Sequence, residues 1–255
     1  SHLVNFTNMG SRFTGYPGYN AALDYIVNEF KKYGLAVSFH EYETAIPLDS
    51  GAEIKILSAP AEPAIKAYSL FPNQVTPVIT PSGGLTGDLV YVGDGRLEDL
   101  KGKEIRGNIV LMNFNTQRRW VDVAKLGAKA VVFIEPTETT RTEADLKFLN
   151  IPFNFPRVYV SKGDCDKLLS LLGRGVVTVN VEAKSNWRKI VGRNVIGYLN
   201  GSDPRFQNQI FLISAYFDSF SVVPGVSPGA TEACGISIML DLVRYFKSNP
   251  PKYPV

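Results

Sequence analysis

Phe211-Leu212-Ile213-Ser214-Ala215-Tyr216-Phe217-Asp218-Ser219 is followed by Pro228-Gly229-Ala230-Thr231-Glu232-Ala233-Cys234-Gly235 and an apolar run. The first stretch has the form of a buried strand. The interval rich in Gly and Pro reads as a loop, and Ala230 onward reads as a helix start. In an open α/β sheet, ligands bind outside the carboxyl ends of the strands. Tyr216, Asp218 and Glu232 therefore stand where chemistry would be placed.

Working outward, Gln209 to Ala215 is expected to be a strand, with Ile210 to Ile213 central in a sheet. The helix is expected from Ala230 to Lys247, with Ile236, Met239, Leu240, Val243 and Phe246 on one stripe. Asn249-Pro250-Pro251 stops it, because proline cannot continue a helix. Upstream, Arg193 to Leu199 is a strand that ends in the turn Asn200-Gly201-Ser202-Asp203-Pro204. At the amino end, Asn20 is the expected N-cap of a helix over Ala21 to Lys32, with Leu23, Ile26, Val27 and Phe30 at helical spacing. Gly34 suits the position just past its end, and Ala36 to Glu43 alternates as a half-exposed strand does.

Between Pro47 and Lys184 the texture changes. Short strand-like runs cover 53–57, 89–92, 109–112, 130–134, 157–160 and 176–181, separated by Gly and Pro. Val121 to Leu126 and Asp164 to Leu172 read as short helices. This is a compact β-rich module without a catalytic cluster.

Composition excludes several classes. The 255 residues are 45% hydrophobic and 20% charged, enough for one or two globular domains. A formal charge of +3 without basic runs gives no footing for nucleic acid. No apolar run reaches the ~18 residues of a membrane span, and the amino end lacks a signal-peptide pattern. Ser1-His2 has the look of a cloning scar, so a leader or anchor could precede it. Cys165 and Cys234 have no metal-ligand spacing. A disulfide between them is open on count alone, and small buried hydrophobes is the expected role. Arg118-Arg119-Trp120 reads as an exposed basic–aromatic spot.

Three sets of residues resemble the zinc aminopeptidase and glutamate carboxypeptidase family, which carries an inserted protease-associated domain and includes the transferrin receptor ectodomain as a non-peptidase relative. Gly10-Ser11-Arg12 with Gly15-Tyr16-Pro17-Gly18 is similar to the family's opening. Residues 87–93, 101–111 and 127–130 are similar to the protease-associated domain, and Asn194 through Ala230 to the start of the peptidase sheet. The resemblance implies an α/β fold: an incomplete open mixed sheet of a zinc-exopeptidase-like core (residues 1–47 and 187–255) with a β-rich protease-associated domain inserted at 48–186.

The family's chemistry, as the resemblance implies it, uses two zinc ions sharing a carboxylate, each with an imidazole, and a Glu as general base. Zinc lowers the pKa of bound water to about 7 and polarises the scissile carbonyl. The imidazole comes from an Ala-His-x-Asp-Ser pattern, which here reads Ala215-Tyr216-Phe217-Asp218-Ser219. Tyr216 thus holds the ligand position, and a phenol with pKa about 10 is a poor zinc ligand at neutral pH. Asp218 matches the Asp that orients the imidazole, but has none to orient. Glu232 falls where the bridging Asp is expected, in a segment that looks one residue short. His2 and His40 match no ligand position.

The expectation is a degenerate metal site at Tyr216, Asp218 and Glu232 that holds no zinc. Asp218 and Glu232 could form an acid–base pair, but capping of the following helix is the expected role. The chain would be a non-catalytic ectodomain or scaffold outside the cytoplasm, with a protein or peptide partner. The alternative is the N-terminal portion of an active zinc-dependent aminopeptidase or carboxypeptidase.

Overall fold

A computed structural model describes all residues, 1–255. Its elements, in order, are α1 (His2–Thr7), α2 (Pro17–Lys32), β1 (Ala36–Ile56), β2 (Ile65–Ser69), β3 (Leu85–Tyr91), α3 (Leu97–Leu100), β4 (Ile109–Asn113), α4 (Arg119–Lys125), β5 (Ala130–Ile134), α5 (Arg141–Asp145), β6 (Arg157–Val160), α6 (Lys162–Leu172), β7 (Thr178–Tyr198) and α7 (Ala230–Ser248). A short 3-10 turn covers Pro204–Phe206. The chain divides into two units. One comprises Ser1–Ile46, Arg188–Ser221 and Val226–Val255; the other comprises Pro47–Trp187 and Val222–Gly225.

The second unit is built on a closed sheet in the order β1-β2-β6-β5-β4-β3-β7. Strands β3, β4, β5 and β6 run parallel, while β2 and β7 flank them antiparallel. Parallel strands are covered on both faces, and β4 and β5 are accordingly near-continuous apolar runs. Ile109, Leu111, Val132, Val158, Leu168 and Val179 meet in one buried core. Helix α6 begins at Lys162, two residues before the expected start. Ser161 Oγ accepts the Asp164 N–H at 3.1 Å and donates to Asp164 Oδ2 at 2.7 Å, which caps it. Trp120 is buried, not exposed, and its Nε1 donates to the Leu146 carbonyl at 2.9 Å. Only Arg118 and Arg119 of that trio reach solvent.

In the first unit, α2 starts at Pro17 with Tyr16 as N-cap, earlier than the expected Asn20. Proline at the first helical position gives up an N–H that has no partner there anyway. Its inner face joins α1 and α7 through Phe6, Ala22, Ile26, Phe30, Ala233, Ile236 and Leu240. Gly34, at φ +81°, takes the left-handed conformation that ends α2. β1 and β7 are each 21 residues long, far beyond the short strands expected, and both run through the division between the units.

The expected strand at Gln209 to Ala215 does not form. A strand requires a ladder partner, and residues 209–217 have no strand assignment. Phe211 N–H donates to the Pro254 carbonyl at 3.0 Å. Ile210, Phe211 and Leu212 face outward, with Leu212 87% exposed. Leu212 and Ile213 edge an apolar groove of about 440 Å³ with Val195, Ala215, Met239 and Phe246. No helix is long and apolar enough to cross a membrane.

Candidate functional site

The loop between Phe217 and α7 is organised by backbone geometry first. Gly229, the N-cap of α7, has φ +57° and ψ +56°. A Cβ there would stand 2.4 Å from the Ser219 Cβ, so both the conformation and the space require glycine. Ser219 and Ser227 lock the two ends of the loop. Ser219 Oγ donates to the Ser227 carbonyl at 2.6 Å, and Ser227 Oγ donates to Ser219 Oγ at 2.9 Å. Phe217 stacks on Tyr19, with ring centroids 5.1 Å apart. The Tyr19 hydroxyl in turn donates to the Arg193 carbonyl and accepts the Arg193 N–H.

Arg12 ties this loop to the amino end. Its guanidinium is buried and donates to the carbonyls of Phe217 (2.9 Å), Phe6 (3.1 Å), Gly229 (2.9 Å) and Pro228. Its own N–H donates to Ser227 O at 2.9 Å, and its carbonyl accepts the Ser219 N–H at 3.1 Å. Burial holds the Arg12 pKa below the ordinary value, while Glu232 and Asp218 pull it back up. Arg12 was legible in the sequence only as part of a family-like opening. Nothing local ties it to a loop some 205 residues away.

The three sequence-designated positions separate. Tyr216 is 81% exposed and its ring points to solvent. Asp218 is half-buried, and its Oδ2 accepts the Thr14 hydroxyl at 2.8 Å. Glu232 is exposed in the first turn of α7. Its Oε2 and Arg12 Nη2 both lie within 3.2 Å of the point where a Gly229 Cβ would stand. Neither carboxylate caps α7, contrary to the expectation, because the N-cap is a glycine and has no side-chain bond. Glu232 suits the positive end of the helix electrostatically instead.

Zinc takes three or four N, O or S ligands in a tight shell. No group of three or more His, Cys, Asp and Glu side chains in this chain gathers closely enough to hold a metal ion. His2 accepts or donates at Tyr25 OH, 2.7 Å away, and His40 is exposed on β1. Cys165 is buried and Cys234 exposed, both free; the expectation that both are buried fails for Cys234, the fifth residue of α7. The donor set at Tyr216, Asp218 and Glu232 does not fit a two-zinc centre.

Residues 194–255 match the family model described as Peptidase family M28. No curated protein matches the chain. Among solved structures, a zinc aminopeptidase from Bacillus subtilis aligns with TM-score 0.64 at 20% identity, covering 99% of this chain and 58% of that one. A peptidase M28 precursor from Shewanella amazonensis aligns with TM-score 0.61 at 19% identity, covering 99% of this chain and 61% of that one. The chain thus spans about three-fifths of the length of the structures it matches. The chain has a mixed α/β fold similar to that of these zinc aminopeptidase and peptidase structures, and its residues 194–255 are similar to peptidase family M28.

Proposed function

We propose that this chain is a metallopeptidase-fold platform that binds a protein or peptide and does not hydrolyse it. One observation supports this above the others. The position at which the resembled Ala-His-x-Asp-Ser pattern supplies an imidazole is Tyr216, an outward-facing phenol. A zinc-bound nucleophile needs a coordination shell, and a lone half-buried carboxylate beside an exposed one does not make it. In this reading the second unit is a protease-associated domain that serves as a contact module, no zinc is held, and the protein works outside the cytoplasm.

Metal analysis of the purified chain tests the reading. After incubation with excess ZnCl2 and desalting, zinc is expected well below one equivalent, with no isotherm at micromolar metal in calorimetry. Near-stoichiometric zinc that is lost in Asp218→Asn or Glu232→Gln overturns it.

A second reading has a specific observation behind it. The matched zinc aminopeptidase extends well beyond the span shared with this chain, so this could be the N-terminal portion of an active zinc-dependent aminopeptidase or carboxypeptidase. Hydrolysis of aminoacyl-p-nitroanilides by the protein encoded by the full open reading frame, abolished by a chelator, would favour it.

A further inference from the structure

The feature of the first unit that the proposed function leaves unused is a buried cation with four carbonyl partners. A guanidinium presents five N–H donors in a rigid plane. Here Nε, Nη1 and Nη2 reach Phe217, Phe6, Pro228 and Gly229, which belong to α1, to the end of the 209–217 segment and to the α7 N-cap. Phe217 immediately precedes Asp218, and Gly229 lies three residues before Glu232. The same side chain therefore sets the backbone at both carboxylates. Thr14, two residues after Arg12, bonds the Asp218 carboxylate directly.

We propose that Arg12 is the positioning residue of this site, holding Asp218 and Glu232 in a fixed relation through backbone carbonyls and its charge, with no metal ion required. The proposal rests on the zinc-free reading above and deepens it: the surface offered to a partner is already formed in the free protein. Lysine cannot replace Arg12, because an ammonium is a point donor that cannot span four carbonyls in different directions. Carbonyl ligation and charge are separable. Glu232 interacts with Arg12 through its field and is not one of its carbonyl ligands.

Amide hydrogen exchange on the 255-residue chain tests it. In the wild type, protection over 217–235 is expected to be the same in EDTA and in ZnCl2. Arg12→Lys is expected to lose at least ten-fold protection over 217–235, while amides of 109–113 and 130–134 in the second unit keep theirs. Arg12→Met is expected to lose more. Glu232→Gln is expected to lower protection of the first turn of α7 two- to five-fold in the wild type and to have no effect in the Arg12→Lys,Thr14→Val background, where the loop is already released. Full protection in Arg12→Lys overturns the positioning role and leaves the zinc-free reading standing. Loss of protection by EDTA alone, equal to that in Arg12→Lys, overturns both. If Arg12→Met does not fold, Arg12→Lys and the chelator comparison still decide. A Glu232→Gln effect of equal size in both backgrounds removes the charge from the proposal.

Discussion

Gly229 shows how a single residue can dominate a site it does not chemically serve. Its left-handed φ and the Ser219 Cβ at 2.4 Å leave no room for a side chain. Gly229→Ala is expected to cost about 2–4 kcal/mol, combining backbone strain with a clash against Ser219. Urea denaturation followed by tryptophan fluorescence and far-UV dichroism measures it, and a cost under ~0.5 kcal/mol would mean the loop can shift freely. The glycine is readable in sequence as a turn residue, and Tyr216 as a phenol out of place. The residue that holds the loop, Arg12, is not. Its partners are backbone carbonyls some 205 residues away, and carbonyls are present at every position, so no pattern marks them.

Elements were legible in proportion to how local their stabilisation is. β4 and β5 appear where their apolar runs put them, and α6 does too except that its Ser161 cap starts it two residues early. The 209–215 segment fails, although its composition is that of a central strand, because strand formation depends on a partner that lies elsewhere in space. Helix α5 is capped locally, with Thr140 Oγ1 accepting the Glu143 N–H at 3.2 Å, and is also tied to the rest of its unit through Lys147. Lys147, just past its end, is fully buried and donates to Glu143 Oε1 at 2.5 Å and to the Gln117 carbonyl at 2.7 Å. It lies 5.2 Å from the Phe114 ring and 5.6 Å from that of Phe133. Burial lowers its pKa, and Glu143 opposes that. Lys147→Met is expected to cost roughly 3 kcal/mol, because Glu143 and the Gln117 carbonyl lose their cation. Adding Glu143→Gln should recover part of it. Chemical denaturation of the single and double variants checks this, and equal stability of the two would assign the loss to packing alone.

For the whole molecule, alkaline pH is the informative condition. Burial pushes the Cys165 thiol up to about 11 and raises Tyr159, with Glu135 beside it acting in the same direction. Both groups bind protons more tightly folded than unfolded. Their contribution to stability is complete below the unfolded thiol value of about 8.5 and is lost as pH rises through the folded one. Stability is expected to fall between pH 9 and 11, by up to about 1.4 kcal/mol per pH unit from the thiol alone. Denaturation curves at pH 8, 9.5 and 10.5 measure the fall. Cys165→Val, which keeps the volume, should flatten the part due to the thiol; an unchanged slope would remove Cys165 from the account.

By itself the sequence determined the helices with clear periodicity, the short strands of the β-rich unit, the turns at positive-φ glycines and the anomaly at Tyr216. Each of these depends on side-chain pattern or backbone freedom within a few residues. Tertiary structure alone decided that β1 and β7 extend to 21 residues each, that Gln209 to Ala215 forms no ladder, that Trp120 is buried, and that Arg12 joins four carbonyls. Those outcomes depend on pairing and burial between segments far apart in the chain, and no local pattern encodes the partner.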